Sequence, residues 1–173
     1  MIHPYLELGR IVSTHGVRGE VRVQAWCDVP AFACGFQTLY YDVKGEQPVR
    51  VLAARPHGNV VLMKLEGVET VEQANLLRNK VLYMARQDAN LPDGVDFIAD
   101  LLGCEVLDAD EPEKRYGTLT DITTNGANEI WEVTAADGRK YLLPAVPLIV
   151  KRKDAANNRV YISPIRGIFD DEV

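Results

Sequence analysis

The sequence predicts a mainly β protein built from two small domains. Short runs rich in β-branched and aromatic residues recur along its 173 residues, separated by Gly, Pro and Asn. A turn-forming cluster, Leu91-Pro92-Asp93-Gly94, interrupts these runs near the middle of the chain. The composition, 47% hydrophobic and 25% charged, is that of an ordinary soluble protein. We therefore expect a first domain over residues 1–90, a linker over 91–95 and a second domain over 96–173.

The runs of the first domain have the lengths and spacing of a small antiparallel barrel. Its predicted strands are 6–12, 17–26, 38–43, 49–54, 60–65 and 81–84. One short helix precedes the last strand, because Thr70 and Gln73 have the spacing of a capping box and Asn79 suits the left-handed position after the helix. Such a short helix is marginal alone, so we expect it to pack against a barrel opening.

Residues 9–23 join the first two strands through a glycine-rich corner. The predicted alternation places Val17, Gly19, Val21 and Val23 on one face, and Arg18, Glu20, Arg22 and Gln24 on the other. This alternation is typical of a half-buried strand, with one face packed and the other in contact with water or a partner. We expect Gly16 and Gly19 to supply the positive φ or the bulge that barrel closure requires.

The polar face of this corner is a candidate RNA-binding site. Its residues are Arg10, His15, Arg18 and Arg22. Guanidinium groups on a rigid strand can bind phosphate oxygens bidentately with little loss of entropy. The alternative is that Arg18 and Arg22 bracket Glu20 in a solvated ion network. His15, between Thr14 and Gly16, could act as a general base, although a histidine in a glycine-bounded corner more often bonds the backbone.

The second domain is also predicted to be β-rich. Its strands are expected at 104–107, 117–123, 129–134, 139–143 and 160–162, with Asp137-Gly138 turning one hairpin. An apolar cluster follows the linker, formed by Phe97, Ile98, Leu101 and Leu102, for which core burial and a docking patch are competing interpretations. Residues 125–128 predict a turn whose amides can bond the backbone or a partner. The basic run 151–153 is typical of a solvated loop.

Motifs for catalysis and for cofactor or metal binding are absent from the sequence. There is no Gly-x-Ser-x-Gly elbow and no phosphate-binding glycine loop, and the three histidines, His3, His15 and His57, each lie in a different local setting. The cysteines, Cys27, Cys34 and Cys104, are odd in number and form no Cys-x-x-Cys pair, which argues against disulfides and zinc. With no signal peptide and no run of about 18 apolar residues, we expect a cytoplasmic protein without membrane or cofactor.

Charge divides unevenly between the two predicted domains. Residues 1–90 contain ten Lys and Arg against nine Asp and Glu, a net charge of +1, whereas residues 91–173 contain nine against sixteen, a net charge of −7. All three histidines lie in the first part. The two domains therefore present different electric fields to partners, although an acidic domain can also serve solubility alone.

Together these segments resemble a known family, the bacterial RimM ribosome maturation factors, over nearly the whole chain. The first domain carries the resemblance in Gly9-Arg10-Ile11-Val12, Thr14-His15-Gly16-Val17-Arg18-Gly19-Glu20-Val21-Arg22-Val23, Leu65-Glu66-Gly67-Val68 and Leu77-Arg78-Asn79-Lys80. The second domain carries it in Asp100-Leu101-Leu102-Gly103-Cys104-Glu105-Val106, Gly117-Thr118-Leu119, Asn125-Gly126-Ala127-Asn128 and Leu142-Leu143-Pro144. Where the family typically has paired aromatics before the Asp-Leu pair, this chain has Phe97 followed by Ile98.

The resemblance implies a translation-factor-like six-stranded barrel followed by a PRC barrel. It also implies a non-enzymatic, monomeric assembly factor that binds the head of the immature small ribosomal subunit, contacts 16S ribosomal RNA and small-subunit ribosomal protein nineteen, and assists 16S processing and head folding as a chaperone. We expect the RNA contact at the arginine face of the first domain. For the ribosomal protein we expect a contact formed by Phe97, Ile98, Leu101 and Asn128.

Three other classes of function stay open at this point. An RNA-modifying enzyme would retain a cofactor, a PRC-barrel scaffold of membrane photochemistry would fractionate with membranes, and a general translation-factor module would fractionate with mature ribosomes. The ribosomal particle that carries the protein in a sedimented lysate would distinguish them.

Overall fold

The computed structural model describes residues 2–92 and 94–169, which fold as two compact units. The N-terminal unit comprises His3–Asn90, and the C-terminal unit comprises residue 2 and the described residues from 91 to 169. Both units are built mainly of β-strands, as the sequence predicts.

The N-terminal unit is a closed barrel of six strands. The strands are β1 (Tyr5–His15), β2 (Glu20–Ala25), β3 (Thr38–Tyr40), β4 (Pro48–His57), β5 (Val60–Leu65) and β6 (Val81–Ala85), with short helices α1 (Pro30–Ala33) and α2 (Val71–Leu76). They pair in the order β1-β2-β5-β4-β3-β6, and every pairing is antiparallel. Alternate strand residues fill the barrel, so Val21 and Val23 of β2 are fully buried.

The second strand is shorter than the sequence alternation predicts. Residues 16–19 form a turn, β2 begins at Glu20, and the side chain of Val17 is 81% exposed rather than packed. Gly16 and Gly19 have φ angles of +61° and +79°, so the predicted positive φ is confirmed at both positions. A Cβ on Gly19 would lie 2.5 Å from the Val68 carbonyl oxygen, because the turn passes close to that backbone. The turn interrupts the alternation at this point.

Helix α2 begins as its sequence predicts. The Thr70 side chain accepts a hydrogen bond from the Gln73 amide, and the Gln73 side chain accepts one from the Thr70 amide. Asn79 adopts the predicted positive φ, 70°, two residues after the C-cap Leu77. The helix packs on β1 and β2 and buries Ala74.

The C-terminal unit contains a six-stranded sheet. Its elements are α3 (Ile98–Leu101), β7 (Glu105–Asp108), β8 (Arg115–Thr124), β9 (Glu129–Thr134), β10 (Lys140–Pro144), β11 (Val150–Asp154) and β12 (Arg159–Ile162). The order is β10-β9-β8-β7-β12-β11, with β7 and β12 parallel and the other pairs antiparallel. The core surrounds the fully buried Trp131 of β9.

In this unit one sequence prediction, the hairpin at Asp137-Gly138, is confirmed, and another, the loop at 151–153, is wrong. The Asp137-Gly138 hairpin is confirmed, because it joins β9 to β10 and Gly138 has a φ of +84°. The expectation of a loop at 151–153 is wrong, since these residues belong to β11. Strand β11 is an edge strand, and charged side chains are common at sheet edges because they discourage pairing with other chains.

Candidate nucleic-acid interface

Strand register brings four basic side chains of the N-terminal unit to one corner of the barrel. Arg22 of β2 and Arg55 of β4 are both register partners of Leu62, which lies on the strand between them. Cross-strand partners share a face of the sheet, so the two arginines project from the same face. His15 ends β1, and its ring centroid lies 5.6 Å from that of His57, at the end of β4. We call His15, Arg22, Arg55 and His57 the histidine–arginine cluster.

Arg22 and His15 are bonded to each other. The Nη2 atom of Arg22 donates to Nδ1 of His15 over 3.2 Å. The Nε atom of Arg22 is buried and has no hydrogen-bond partner within the described residues. An arginine that has an unused, desolvated donor is a good binding group for an oxyanion, because the penalty for removing that donor from water is already present in the free protein.

Glu20 is the carboxylate of this corner, and it pairs with Arg55. The two guanidinium nitrogens of Arg55 donate to the two oxygens of Glu20 over 2.6 Å and 3.2 Å. This bidentate bond lowers the pKa of Glu20 below its ordinary value and raises that of Arg55. The ion network considered from the sequence therefore exists with a different cation, since Glu20 binds Arg55 rather than Arg18 or Arg22.

Arg18 lies in the turn and not on the polar face of a strand. Its side chain is exposed, while its carbonyl oxygen accepts a hydrogen bond from Nζ of Lys64. The same ammonium group donates to the Val68 carbonyl oxygen and to Oε2 of Glu69, the latter over 3.1 Å. Lys64 thereby anchors the turn, and it leaves the Arg18 guanidinium accessible.

Arg10 projects from β1 beside an aromatic ring. It is the register partner of Gln24, and its guanidinium carbon lies 5.5 Å from the centroid of the Trp26 ring, which is 45% exposed. An exposed tryptophan next to an arginine can stack on a nucleic-acid base. Among the described residues, Arg10 forms no hydrogen bond to His15 or Arg22. The four residues predicted to bind RNA therefore comprise one bonded pair, His15 with Arg22, and two arginines outside that pair, Arg10 and Arg18.

Sequence reasoning did not single out Arg55, His57 or Trp26. Arg55 and His57 lie in β4, 35 residues or more after Glu20, in a stretch without a recognisable motif. The only local signal was for Trp26, an aromatic residue at the end of the strand that carries Arg22.

In the C-terminal unit, the structure separates the residues predicted for the ribosomal-protein contact. Leu101 is 2% exposed and belongs to the core around Trp131, so its assignment to a contact surface is corrected. Helix α3 is a single turn that directs Asp100 and Leu101 inward, leaving Ile98 46% exposed. Phe97 is half-buried at the N-cap of this turn.

Two further exposed positions lie in the C-terminal unit. Leu102, next after α3, is 38% exposed. Asn128 lies in the 125–128 turn, where Oδ1 of Asn125 accepts hydrogen bonds from the amides of Ala127 and Asn128 over 3.0 Å and 2.9 Å. The Asn128 carbonyl oxygen accepts from the Asn125 amide over 3.2 Å and from Oγ1 of Thr124 over 3.4 Å, so Asn128 stabilises the turn through its backbone while the residue is exposed.

The basic run of β11 is largely used within its own unit. Lys153 pairs with Asp96 over 3.2 Å, and the Arg152 guanidinium lies 4.0 Å from the centroid of the Tyr161 ring. Lys151 donates to the Pro147 carbonyl oxygen over 3.3 Å. These contacts make the run a weaker candidate for RNA than the histidine–arginine cluster.

The described part of the chain has neither a metal-binding cluster nor a membrane-spanning helix. Residues 2–92 and 94–169 contain no group of three or more His, Cys, Asp or Glu side chains placed to hold a metal ion. No helix among them has both the length and the apolar character needed to cross a membrane.

Comparison with known proteins covers nearly the whole chain. The RimM N-terminal domain family matches residues 6–89, and the PRC-barrel domain family matches residues 93–168. A ribosome maturation factor RimM of Lactobacillus johnsonii is 36% identical over 170 residues, which cover 96% of this chain and 98% of that protein. The RimM of Acetivibrio thermocellus is 32% identical over 173 residues and covers 98% of both chains.

Two solved structures are also similar. A crystal structure of a 16S ribosomal RNA processing protein RimM from Pseudomonas aeruginosa has 26% identity and a TM-score of 0.45, and covers 93% of this chain and 98% of that chain. The solution structure of the N-terminal domain of RimM from Thermus thermophilus has 19% identity and a TM-score of 0.42, and covers 51% of this chain and 95% of that one. On the two domain matches and the full-length relatives, this chain belongs to the RimM family of ribosome maturation factors.

Proposed function

We propose that this chain is a cytoplasmic ribosome maturation factor that binds the head of the immature small ribosomal subunit and assists folding of the head and processing of 16S rRNA. The observation that carries the proposal is full-length similarity to relatives named ribosome maturation factors. The two units support it with different surfaces, a basic corner in the N-terminal unit and an acidic C-terminal unit.

For the RNA contact, we infer that the N-terminal unit binds the phosphate backbone of 16S rRNA. Arg10, His15, Arg18 and Arg22 remain the candidates, and Arg55, His57 and Trp26 join them. Guanidinium and imidazolium groups recognise phosphates regardless of base, while the ring of Trp26 offers a stacking surface. Such a contact binds RNA with strong dependence on salt concentration.

For the protein contact, we infer that the C-terminal unit binds small-subunit ribosomal protein nineteen. Phe97, Ile98 and Asn128 remain candidates, and Leu102 takes the place of the buried Leu101. A net charge of −7 over residues 91–173 favours a basic ribosomal protein, while exposed apolar side chains supply the desolvated centre of an interface.

The mode of action that fits these surfaces is that of a monomeric, stoichiometric chaperone without catalytic activity. Binding RNA and protein together stabilises one arrangement of the head relative to competing arrangements, and this requires no bond to be made or broken. In a reconstitution of the head, we expect the protein to accelerate head assembly, and we expect this acceleration to saturate near one factor per particle. Acceleration by a small fraction of that amount, with a covalent change in the RNA, would instead identify an enzyme.

The decisive experiment is sedimentation of a lysate that contains the full chain. We expect the protein with immature small subunits, and not with mature ribosomes or membranes. The double variant Arg18→Ala with Arg22→Ala should weaken the association and reduce the slope of log affinity against log salt by about 1–2, at roughly 0.7–0.9 for each phosphate contact. An unchanged slope in a folded double variant would remove these two arginines from the RNA contact.

A further inference from the structure

The bond between Arg22 and His15 determines where the imidazole proton lies. A guanidinium group only donates hydrogen bonds, so the Nδ1 atom of His15 must accept from Nη2 of Arg22. An imidazole that accepts this bond at Nδ1 must be neutral, with its proton on Nε2. Protonation of His15 would convert the acceptor into a donor and would place two positive groups against each other.

The surroundings of His15 contain more cations than anions. Arg22 of β2 bonds to the ring, and β4 contributes His57 and Arg55. The exposed Arg18 lies in the turn, three residues after His15. Glu20, the register partner of His15, is the carboxylate on this face and is bound to Arg55.

Two further cations of the N-terminal unit are already bonded elsewhere. Lys64 of β5 is held by the Arg18 and Val68 carbonyl oxygens and by Glu69. On the side of α2, Arg78 donates from Nε to the Val12 carbonyl oxygen over 3.1 Å. Both groups are cations that only donate hydrogen bonds, so neither offers an acceptor to Arg22 or to a protonated His15.

We propose that the histidine–arginine cluster is a phosphodiester-binding site that takes up a proton on His15 when it is occupied. This inference rests on the proposed function, since it identifies which groups bind the RNA backbone. A phosphate oxygen replaces Nδ1 of His15 as the acceptor for Arg22, whose buried Nε is already without a partner among the described residues. The displaced imidazole then binds a proton from solvent and donates to the same phosphate, with His57 beside it.

The proposal predicts that RNA binds more tightly as the pH falls. The probe is a short oligouridylate with hydroxyl ends, because neither its bases nor its phosphodiesters titrate near neutral pH. Between about pH 7.5 and about pH 5.5, at constant ionic strength, we expect the affinity of the full chain to rise roughly three- to tenfold. His15→Gln should lose most of this rise, and His57→Gln should lose part of it.

The matched control is His3→Gln. His3 is the one histidine of the sequence outside the cluster. It is exposed, and its backbone oxygen accepts a hydrogen bond from Nε of Arg86. This variant should keep the full pH dependence. If His15→Gln and His3→Gln retain the same dependence as the unmodified chain, the proposal is wrong.

A second measurement does not depend on any variant. In the unmodified chain, NMR of the imidazole nitrogens reports the titration of each histidine separately. We expect the His15 midpoint to move to higher pH when the oligouridylate is added, and the His3 midpoint to stay. Dimethyl phosphate, a single phosphodiester, should move the His15 midpoint in the same direction, which would locate the effect in the phosphodiester and not in the bases.

The phosphate site and the proposed function can be contradicted independently of each other. If the protein sediments with immature small subunits while RNA leaves the His15 titration unchanged, the phosphate site is wrong and the proposed function stands. If His15 responds to phosphodiesters but the protein is absent from those particles, the site stands and the proposed function is wrong.

Discussion

The two units of this protein use their charged side chains differently. Four of the nine Lys and Arg residues described in the C-terminal unit form ion pairs, Arg115 with Glu105, Arg139 with Asp137, Lys140 with Glu132 and Lys153 with Asp96. In the N-terminal unit, the basic corner contains two arginines and two histidines around one carboxylate, and one arginine nitrogen is buried without a partner among the described residues. Net charge alone therefore does not identify a phosphate site, because a cation that is already paired gains little from a new anion.

The largest expected effect tests the division between core and surface in the C-terminal unit. Leu101→Ala should destabilise this unit by about 2–5 kcal/mol, because it leaves a cavity beside Trp131. Ile98→Ala, only three residues away, should cost less than about 1 kcal/mol because its side chain is half in solvent. Hydrogen exchange resolved by segment would measure both, and protection should fall only in the C-terminal unit of the Leu101 variant.

The same two variants also test whether Ile98 belongs to the proposed contact with the ribosomal protein. Ile98→Ala should weaken binding to that protein while leaving the fold intact. Equal loss of protection in the two variants would place Ile98 in the core and would move the contact elsewhere.

The next effect concerns the glycine corner of the N-terminal unit. Gly16→Ala should cost about 1 kcal/mol, because φ is positive but a Cβ there would meet no atom within 4 Å. Gly19→Ala should cost roughly 2–4 kcal/mol, since it adds a contact of 2.5 Å with the Val68 carbonyl oxygen to the same backbone strain. Denaturant unfolding of both variants measures the difference. Similar losses would indicate that the turn can move away from Val68.

A smaller effect is a gain in RNA affinity rather than a loss of stability. It tests whether an ion pair within the protein weakens the binding of its cation to RNA. Glu20→Gln removes the carboxylate that holds Arg55, so RNA affinity should rise about two- to fivefold. The control is Glu69→Gln, which changes the net charge equally but frees no cation at the corner, because Lys64 keeps its two carbonyl acceptors. If both variants raise the affinity equally, the effect is one of net charge.

The smallest effect concerns acid stability in the C-terminal unit. The Tyr116 hydroxyl donates to Oδ2 of Asp108 over 2.5 Å, and this bond, with the amide of Glu111, lowers the pKa of Asp108 below its ordinary value. A carboxyl group whose pKa is lowered by folding stabilises the protein above its unfolded pKa, and that stabilisation disappears as the pH falls through the folded pKa.

Tyr116→Phe should therefore raise the pKa of Asp108 and make the C-terminal unit unfold at slightly higher pH during acid titration. The aromatic contact with Phe169, at 4.4 Å between ring centroids, is retained by the variant. Carboxyl NMR of Asp108 checks the shift. An unchanged pKa would mean that the backbone amides alone account for it.

The sequence by itself determined the features that depend on near neighbours. The alternation from Glu20 to Gln24, the capping box of Thr70 and Gln73, and the Asp137-Gly138 hairpin all involve residues at most four apart, so the pattern contains the whole interaction. Each follows from backbone geometry over a few consecutive residues. The same local logic failed at Val17, where a turn interrupts the strand.

Only the tertiary structure decided which charges meet and which apolar residues are buried. Arg55 reaches Glu20 from 35 residues away because β5 lies between β2 and β4, and no local pattern specifies that strand order. Leu101 and Ile98 have similar hydrophobicity and differ in burial because one turn of helix faces the core with one side only. Contacts between distant strands depend on barrel closure and register, which the whole chain sets together.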